Sequence, residues 1–354
     1  MGTKVTVMAV THEAPLAGGR ASARTHAMVV KSITPNALPK PMARLDVELA
    51  GLRLGNPFIL ASGIWGETGA TIARALRAGA GAAVTKSISL EPRMGYPNPT
   101  VVEVPTGLLN AMGLPNPGIE AYKEEVEAAL GPGKPLIGSI FGANSSEFAQ
   151  LARKMEGYGV HALELNLSCP HAKGYGSTLG QDPDMTKRIT AAVRSAVRIP
   201  VFVKITPNVA SIASLARAAS SGGADGISAV NTLRGMVIDL ELARPVLSHG
   251  SGGYSGPGIK PVGVWAVYEI ASTVTIPIIG MGGITTGEDA AEYMMAGASA
   301  VQVGTAVLRG RDSTFARLSK ELGAFLDARG FRRASRLTGA AHEEKVPVKH
   351  AGAG

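Results

Sequence analysis

The residues able to do chemistry in this chain are few, and they recur at similar places. The stretch Glu164-Leu165-Asn166-Leu167-Ser168-Cys169-Pro170 places a thiol just past a predicted strand, beside the polar amide of Asn166. Cys169 is the only cysteine among 354 residues, so neither an internal disulfide nor a cysteine-rich metal site can involve it. It follows a strand-like run and precedes Pro170, which cannot donate a ladder hydrogen bond and ends the element. A lone cysteine commonly serves as a small buried hydrophobe. A thiol on a loop leaving a strand is instead placed to react. Lys86 and Lys204 each close an apolar run, where an ammonium is costly unless it meets a negative or polar partner. The bland alternative is a side chain reaching out to solvent. Asn110, Asn166 and Asn231 supply amides that both donate and accept, which suits a planar ring with alternating C=O and N–H groups. Gly280-Met281-Gly282-Gly283 and Val303-Gly304-Thr305 would let backbone N–H groups approach an anion, with a following helix N-terminus adding its dipole. Their bland reading is a pair of tight turns.

These residues need elements to hold them. Strand-like runs cover Phe58–Ala61, Ala82–Thr85, Leu136–Ile140, Ala162–Leu167, Val201–Ile205, Gly226–Val230, Ile276–Ile279 and Ala300–Val303. Helix-like runs lie between most of them: Ala70–Ala78, Ile119–Leu130, Glu147–Glu156, Met185–Val197, Val209–Ser220, Ala290–Ala296 and Ser313–Ala328. Near-continuous apolar strands alternating with amphipathic helices predict an all-parallel sheet. Eight such strands over about 290 residues suit a closed (β/α)₈ TIM barrel. A short hairpin precedes them, from Leu45 to Leu54, and loop insertions cover the C-terminal face. The competing doubly wound sheet would open with a glycine-rich fingerprint, to which Ala61-Ser62-Gly63-Ile64-Trp65-Gly66 is a poor match. In a barrel the chemistry gathers where the strands end, and phosphate often binds after strands seven and eight, where both glycine stretches fall. The segment around Asn110-Ala111-Met112-Gly113-Leu114-Pro115-Asn116, between strands two and three, is long enough to cover a pocket.

Composition narrows the partners. The net charge of +8 sits at the ends: residues 1–41 carry five Lys/Arg and one Glu, and residues 332–354 carry five Lys/Arg and two Glu. No basic stripe interleaved with aromatics crosses the middle, which argues against nucleic acid. No run of 18 apolar residues predicts a membrane span, and a single cysteine fits a reducing, cytoplasmic setting. Residues 1–41 lack both periodicity and a secretory apolar stretch, so they read as a disordered extension, with Met42 as an alternative start. The barrel is expected over 42–331, and 332–354 as a basic flexible tail.

In order along the chain, Ala61-Ser62-Gly63, Thr85-Lys86-Ser87, the Asn110–Asn116 stretch, Asn166-Leu167-Ser168-Cys169-Pro170, Lys204-Ile205-Thr206-Pro207-Asn208, Asn231-Thr232, Ser255-Gly256-Pro257-Gly258, Gly282-Gly283 and Gly304-Thr305 resemble the class 1 dihydroorotate dehydrogenases, flavin enzymes of pyrimidine biosynthesis. The resemblance implies one FMN per chain and no metal. The FMN phosphate would lie on Gly256, Gly282, Gly283, Gly304 and Thr305. Lys86, Ser87 and Lys204 would face its ring system, with Ser62, Ser139 and Asn166 nearby and Val230 also among the cofactor-binding residues. Dihydroorotate would be held by Lys86, Asn110, Ala111, Met112, Gly113, Leu114, Asn166, Asn231 and Thr232. Cys169 would take the C5 proton while hydride leaves C6 for the flavin. Membrane-linked class 2 relatives use serine at the base position, so cysteine points to class 1. The pattern is closer to the NAD-linked subclass, whose partner subunit carries FAD and a [2Fe–2S] cluster; one cysteine here cannot ligate a cluster. That implies a homodimer core or a heterotetramer. The alternatives are a fumarate-linked enzyme, a related FMN barrel acting on another dihydropyrimidine, and a non-enzymatic flavin-binding barrel. His171 and Ser139 stand where asparagine is commoner in the family.

Overall fold

The computed structural model describes residues 44–167 and 180–342. In chain order its strands are β1 (Val47–Leu49), β2 (Leu52–Leu54), β3 (Phe58–Leu60), β4 (Ala82–Val84), β5 (Val101–Val104), β6 (Gly107–Asn110), β7 (Leu136–Ile140), β8 (Ala162–Asn166), β9 (Val201–Ile205), β10 (Gly226–Ala229), β11 (Leu233–Gly235), β12 (Ile238–Asp239), β13 (Arg244–Pro245), β14 (Gly252–Ser255), β15 (Ile278–Met281) and β16 (Ala300–Val303). Its helices are α1 (Gly69–Arg77), α2 (Lys123–Leu130), α3 (Ser145–Gly157), α4 (Pro183–Ala196), α5 (Ile212–Ser221), α6 (Lys260–Ala271), α7 (Gly287–Met295), α8 (Thr305–Gly310) and α9 (Ser313–Arg329).

Eight strands close a parallel barrel in the order β10-β15-β16-β3-β4-β7-β8-β9. Every residue of β7, β8 and β9 is buried, because helices cover one face and the barrel interior the other. The helices start where the sequence supplies caps. Asn144 accepts from the Glu147 N–H at 3.1 Å to open α3, and Asp182 accepts from the Asp184 N–H at 2.8 Å just before Pro183 opens α4. α3 then buries Phe148, Ala149, Leu151, Ala152 and Met155 against the barrel. β1 and β2 form the expected hairpin.

Three features depart from the sequence expectation. The insertions over the mouth are not irregular loops: β11, β14, β6 and β5 pair antiparallel into a four-stranded sheet with a small core of Leu109, Ala111 and Leu247. α6 has no helical period to read, because Lys-Pro-Val-Gly-Val-Trp-Ala-Val-Tyr-Glu-Ile-Ala is apolar nearly all round. The expected flexible tail is packed as far as it is described. Ala334 and Leu337 are fully buried, the Ala334 N–H donates to Arg44 O at 2.9 Å, and His342 stacks on Tyr268 at 3.9 Å. Ala334 and Leu337 in a single 3-10 turn, with backbone hydrogen bonds from Gly339 and Ala341 to Met294 and Met295, hold it there, and two apolar residues are too short a signal to stand out in a basic sequence. Residues 1–43 and 343–354 lie outside the described residues. Among the described residues no helix is long and apolar enough to cross a membrane.

Candidate active site

A cavity of about 450 Å³ opens at the C-terminal ends of the barrel strands, under the four-stranded sheet. That is ample for a small cofactor and substrate. Barrel strands and the turns after them bring Ser62, Lys86, Ser87, Asn166, Lys204 and Val230 to it, with Asn231 and Thr232 just beyond. The insertion supplies Asn110, Met112, Gly113 and Leu114, and the opposite wall supplies Gly256, Gly282, Gly283, Gly304 and Thr305. Two residues expected at the site do not line it. Ser139 is fully buried behind Ser87, with its hydroxyl 2.8 Å from that of Ser87, and Ala111 turns into the small sheet core. Ser168, Cys169, Pro170 and His171 lie outside the described residues.

The polar wall is a connected string. Ser87 Oγ accepts from Asn166 Nδ2 at 3.0 Å, stands 2.8 Å from Ser139 Oγ and reaches Ser62 Oγ at 3.4 Å. Each hydroxyl fixes the next, so donors and acceptors arrive preset. Asn110, the last residue of β6, donates to Gly253 O on β14 at 3.3 Å. Asn208 donates to Thr232 O at 3.0 Å and accepts from the Arg234 N–H at 2.9 Å, which fixes the turn carrying Asn231. Among the described residues no group of three His, Cys, Asp or Glu side chains could hold a metal ion.

Both lysines have the negative partners their positions demand. Lys86 pairs with Glu67, and Lys204 Nζ lies 3.4 Å from Glu164 Oε1. Neither glutamate's role was read from sequence. The available signal was a charged or amide residue inside an apolar strand, as at Glu164 in β8 and Gln302 in β16.

The glycines of this wall divide in a steric test: the chain's own turns and packing require glycine at 256 and 283, and only Gly304 is bare without an internal reason. Gly256 and Gly283 have φ of 104° and 76°, and a Cβ on Gly283 would come within 2.9 Å of Gly256 O and Lys260 N. Gly304 differs: a Cβ there would meet nothing closer than 3.5 Å, so packing within the chain does not require its bareness. A ligand approaching the backbone would. Beneath this wall, the Tyr293 hydroxyl donates to Gly282 O at 2.6 Å, and burial pushes its phenol well above the usual range. The expected contribution of the α7 N-terminus is not available. The Gly287 N–H donates to Glu321 at 2.8 Å, while the Thr285 and Thr286 N–H groups donate to Asp289 at 2.8 and 2.9 Å. Burial alone would raise the Asp289 carboxyl, but hydrogen bonds from Lys260, Thr285 and Thr286 outweigh it and hold its pKa at about 2. The loop is thus braced by the chain itself, and Gly282 and Gly283 face the cavity.

Fold and site together define a (β/α)₈-barrel enzyme working at the C-terminal mouth. The chain belongs to the dihydroorotate dehydrogenase family, whose model matches residues 44–326. Its relatives include the dihydroorotate dehydrogenase B (NAD(+)) catalytic subunit of Pyrococcus furiosus, 52% identical over 84% of this chain and 99% of that one. The protein of the same name from Methanocaldococcus jannaschii is 49% identical over 84% of this chain and 98% of its own length. That from Thermoplasma acidophilum is 47% identical over 85% and 99%.

Proposed function

We propose that this chain oxidises dihydroorotate to orotate in pyrimidine biosynthesis, using one FMN and passing the electrons to NAD through a partner subunit. The observation that carries the reading is one cavity that gathers both lysines, the amides of Asn110, Asn166 and Asn231, and the glycine wall. FMN, when bound, supplies the hydride acceptor. The chain's own residues do the rest. Gly256, Gly282, Gly283, Gly304 and Thr305 hold the phosphate. Lys86 pairs with the substrate carboxylate, where a charge-assisted bond contributes more than a neutral one. The asparagines read the ring amides. Cys169 takes the proton from C5 as thiolate. FAD and a [2Fe–2S] cluster belong to the partner subunit, in a heterotetramer around a homodimer core. The relatives' names, NAD-linked and catalytic subunit, favour this acceptor over fumarate. A cytoplasmic location is part of the same reading.

Flavin reduction by dihydroorotate, followed by stopped-flow bleaching, tests the chemistry. General-base catalysis contributes about 10²- to 10⁴-fold, so Cys169→Ala should slow bleaching by that order while substrate still binds. Cys169→Ser should keep some activity and require higher pH. A Cys169→Ala protein that bleaches at close to the wild-type rate would overturn the assignment.

A further inference from the structure

At the floor of the cavity and just beneath it lies a polar cluster whose carboxylate, Glu164, the proposed chemistry does not use. Glu164 is completely buried on β8. Its Oε2 accepts from Ser228 Oγ of β10 at 2.8 Å and from Gln302 Nε2 of β16 at 2.5 Å. Its Oε1 stands 3.4 Å from Lys204 Nζ of β9, a side chain only 7% exposed. In the strand order, β8 and β16 are four places apart in either direction, so the Gln302 amide reaches across the full width of the barrel. Lys204 and Gln302 also line the cavity.

Stability gives no reason for such a cluster. Replacing a buried ion pair with apolar side chains of similar volume is often neutral or stabilising, and barrel interiors are normally filled with branched apolar residues. The arrangement does have an electrostatic consequence. A cation beside a ligand favours negative charge on it, and a carboxylate behind the cation reduces that preference. Low local dielectric strengthens both effects.

We propose that Glu164 is a positioning residue: held by Ser228 and Gln302, it fixes the Lys204 ammonium at the cavity floor and offsets part of its charge, and so sets how strongly the site stabilises reduced flavin. The inference rests on the FMN reading above.

The test uses the full chain loaded with FMN. Titration of the flavin-free wild type with FMN comes first, then the two-electron midpoint potential by dye equilibration. Glu164→Gln keeps the shape and removes the charge. It should raise the potential by roughly the equivalent of a tenfold gain in stabilisation of reduced flavin, about 30 mV for a two-electron couple. Glu164→Asp draws the charge back by one methylene and should move the potential the same way by less, which keeps the test alive if Glu164→Gln does not fold. Lys204→Met should lower the potential. In that background Glu164→Gln should do nothing further, because a buried carboxyl without its cation sits neutral. An unchanged or lowered potential in the folded Glu164 variant overturns the inference. So does a full-sized shift in the Lys204→Met background, since Glu164 would then act without Lys204. Failure of the wild type to take up FMN is a different result: it removes the functional reading itself, whereas stoichiometric FMN with an unmoved potential removes only the role of Glu164.

Discussion

Lys86 at the rim of the cavity and Lys204 on its floor each pair with one glutamate, yet the Glu67 side chain is 66% exposed and that of Glu164 not exposed at all. The same two charges therefore have different duties. The Lys86 side chain is itself only 13% exposed, so the contrast lies in the glutamates: a pair with one partner in water contributes little, because water competes for that partner and a long side chain must be held still. Glu67 can give way to an incoming carboxylate at small cost, which suits the substrate-binding role proposed for Lys86. A buried pair is a commitment. Its partners have left water, and removing either one leaves the other buried without its counter-charge, which costs several kcal/mol or forces it to neutralise. On the proposed reading, substrate would exchange at the rim while the floor holds its charge pattern throughout.

Removing a carboxylate from the floor gives the sharpest contrast. Glu164→Ala takes the counter-charge of Lys204 and the acceptor of the Ser228 and Gln302 donors away, so unfolding in urea should show a loss of about 3–5 kcal/mol. A loss below 1 kcal/mol would mean that the floor behaves like the rim. Next in size is the rim itself. Lys86→Ala removes a charge-assisted bond worth roughly 1.5–3 kcal/mol to a carboxylate, so substrate binding should weaken by about 10- to 100-fold and flavin reduction should slow. Its stability should change by less than about 1 kcal/mol. Unchanged binding and reduction would take Lys86 out of the site.

The smallest effect adds an intermediate case. Asp289 braces the Gly282–Thr286 loop with its side chain 12% exposed against Lys260. Its pKa falls from 3.8 to about 2 in the folded chain. The unfolded state therefore takes up the proton first as pH falls. The stability contributed by Asp289 is fully present above its unfolded pKa and is lost as pH drops through the folded value. Urea midpoints between pH 5 and pH 2 should show a decline over the lower part of that range, and Asp289→Asn should flatten it. An identical slope in that variant would mean that other carboxylates carry the acid sensitivity.

Much of the scaffold was legible in the sequence because parallel barrel strands, buried on both faces, read as unbroken apolar runs. Leu136–Ile140 and Val201–Ile205 came out residue for residue. β15 sits two residues later than expected, since Ile276 and Pro277 extend the apolar run ahead of the first barrel pairing at Ile278. The covering sheet could not be read, because β14 pairs with β6 more than a hundred residues away and its sequence, Gly-Gly-Tyr-Ser, has little strand character. The cavity residues could be read because polar groups at the ends of apolar strands need a reason. Glu164 was in plain view in the most informative stretch of the chain, but its partners lie on three other strands, and no local pattern joins them.

The bond between Gln302 and Glu164 links residues 138 positions apart, and Gln302 belongs to the last strand of the barrel. Glu164 on β8 therefore has both its hydrogen-bond donors only in the closed barrel, because β16 faces it from four strands away. Any opening of the ring that shifts β16 takes a donor from the carboxylate behind Lys204, so the floor of the cavity keeps its arrangement only while the whole circle stays shut.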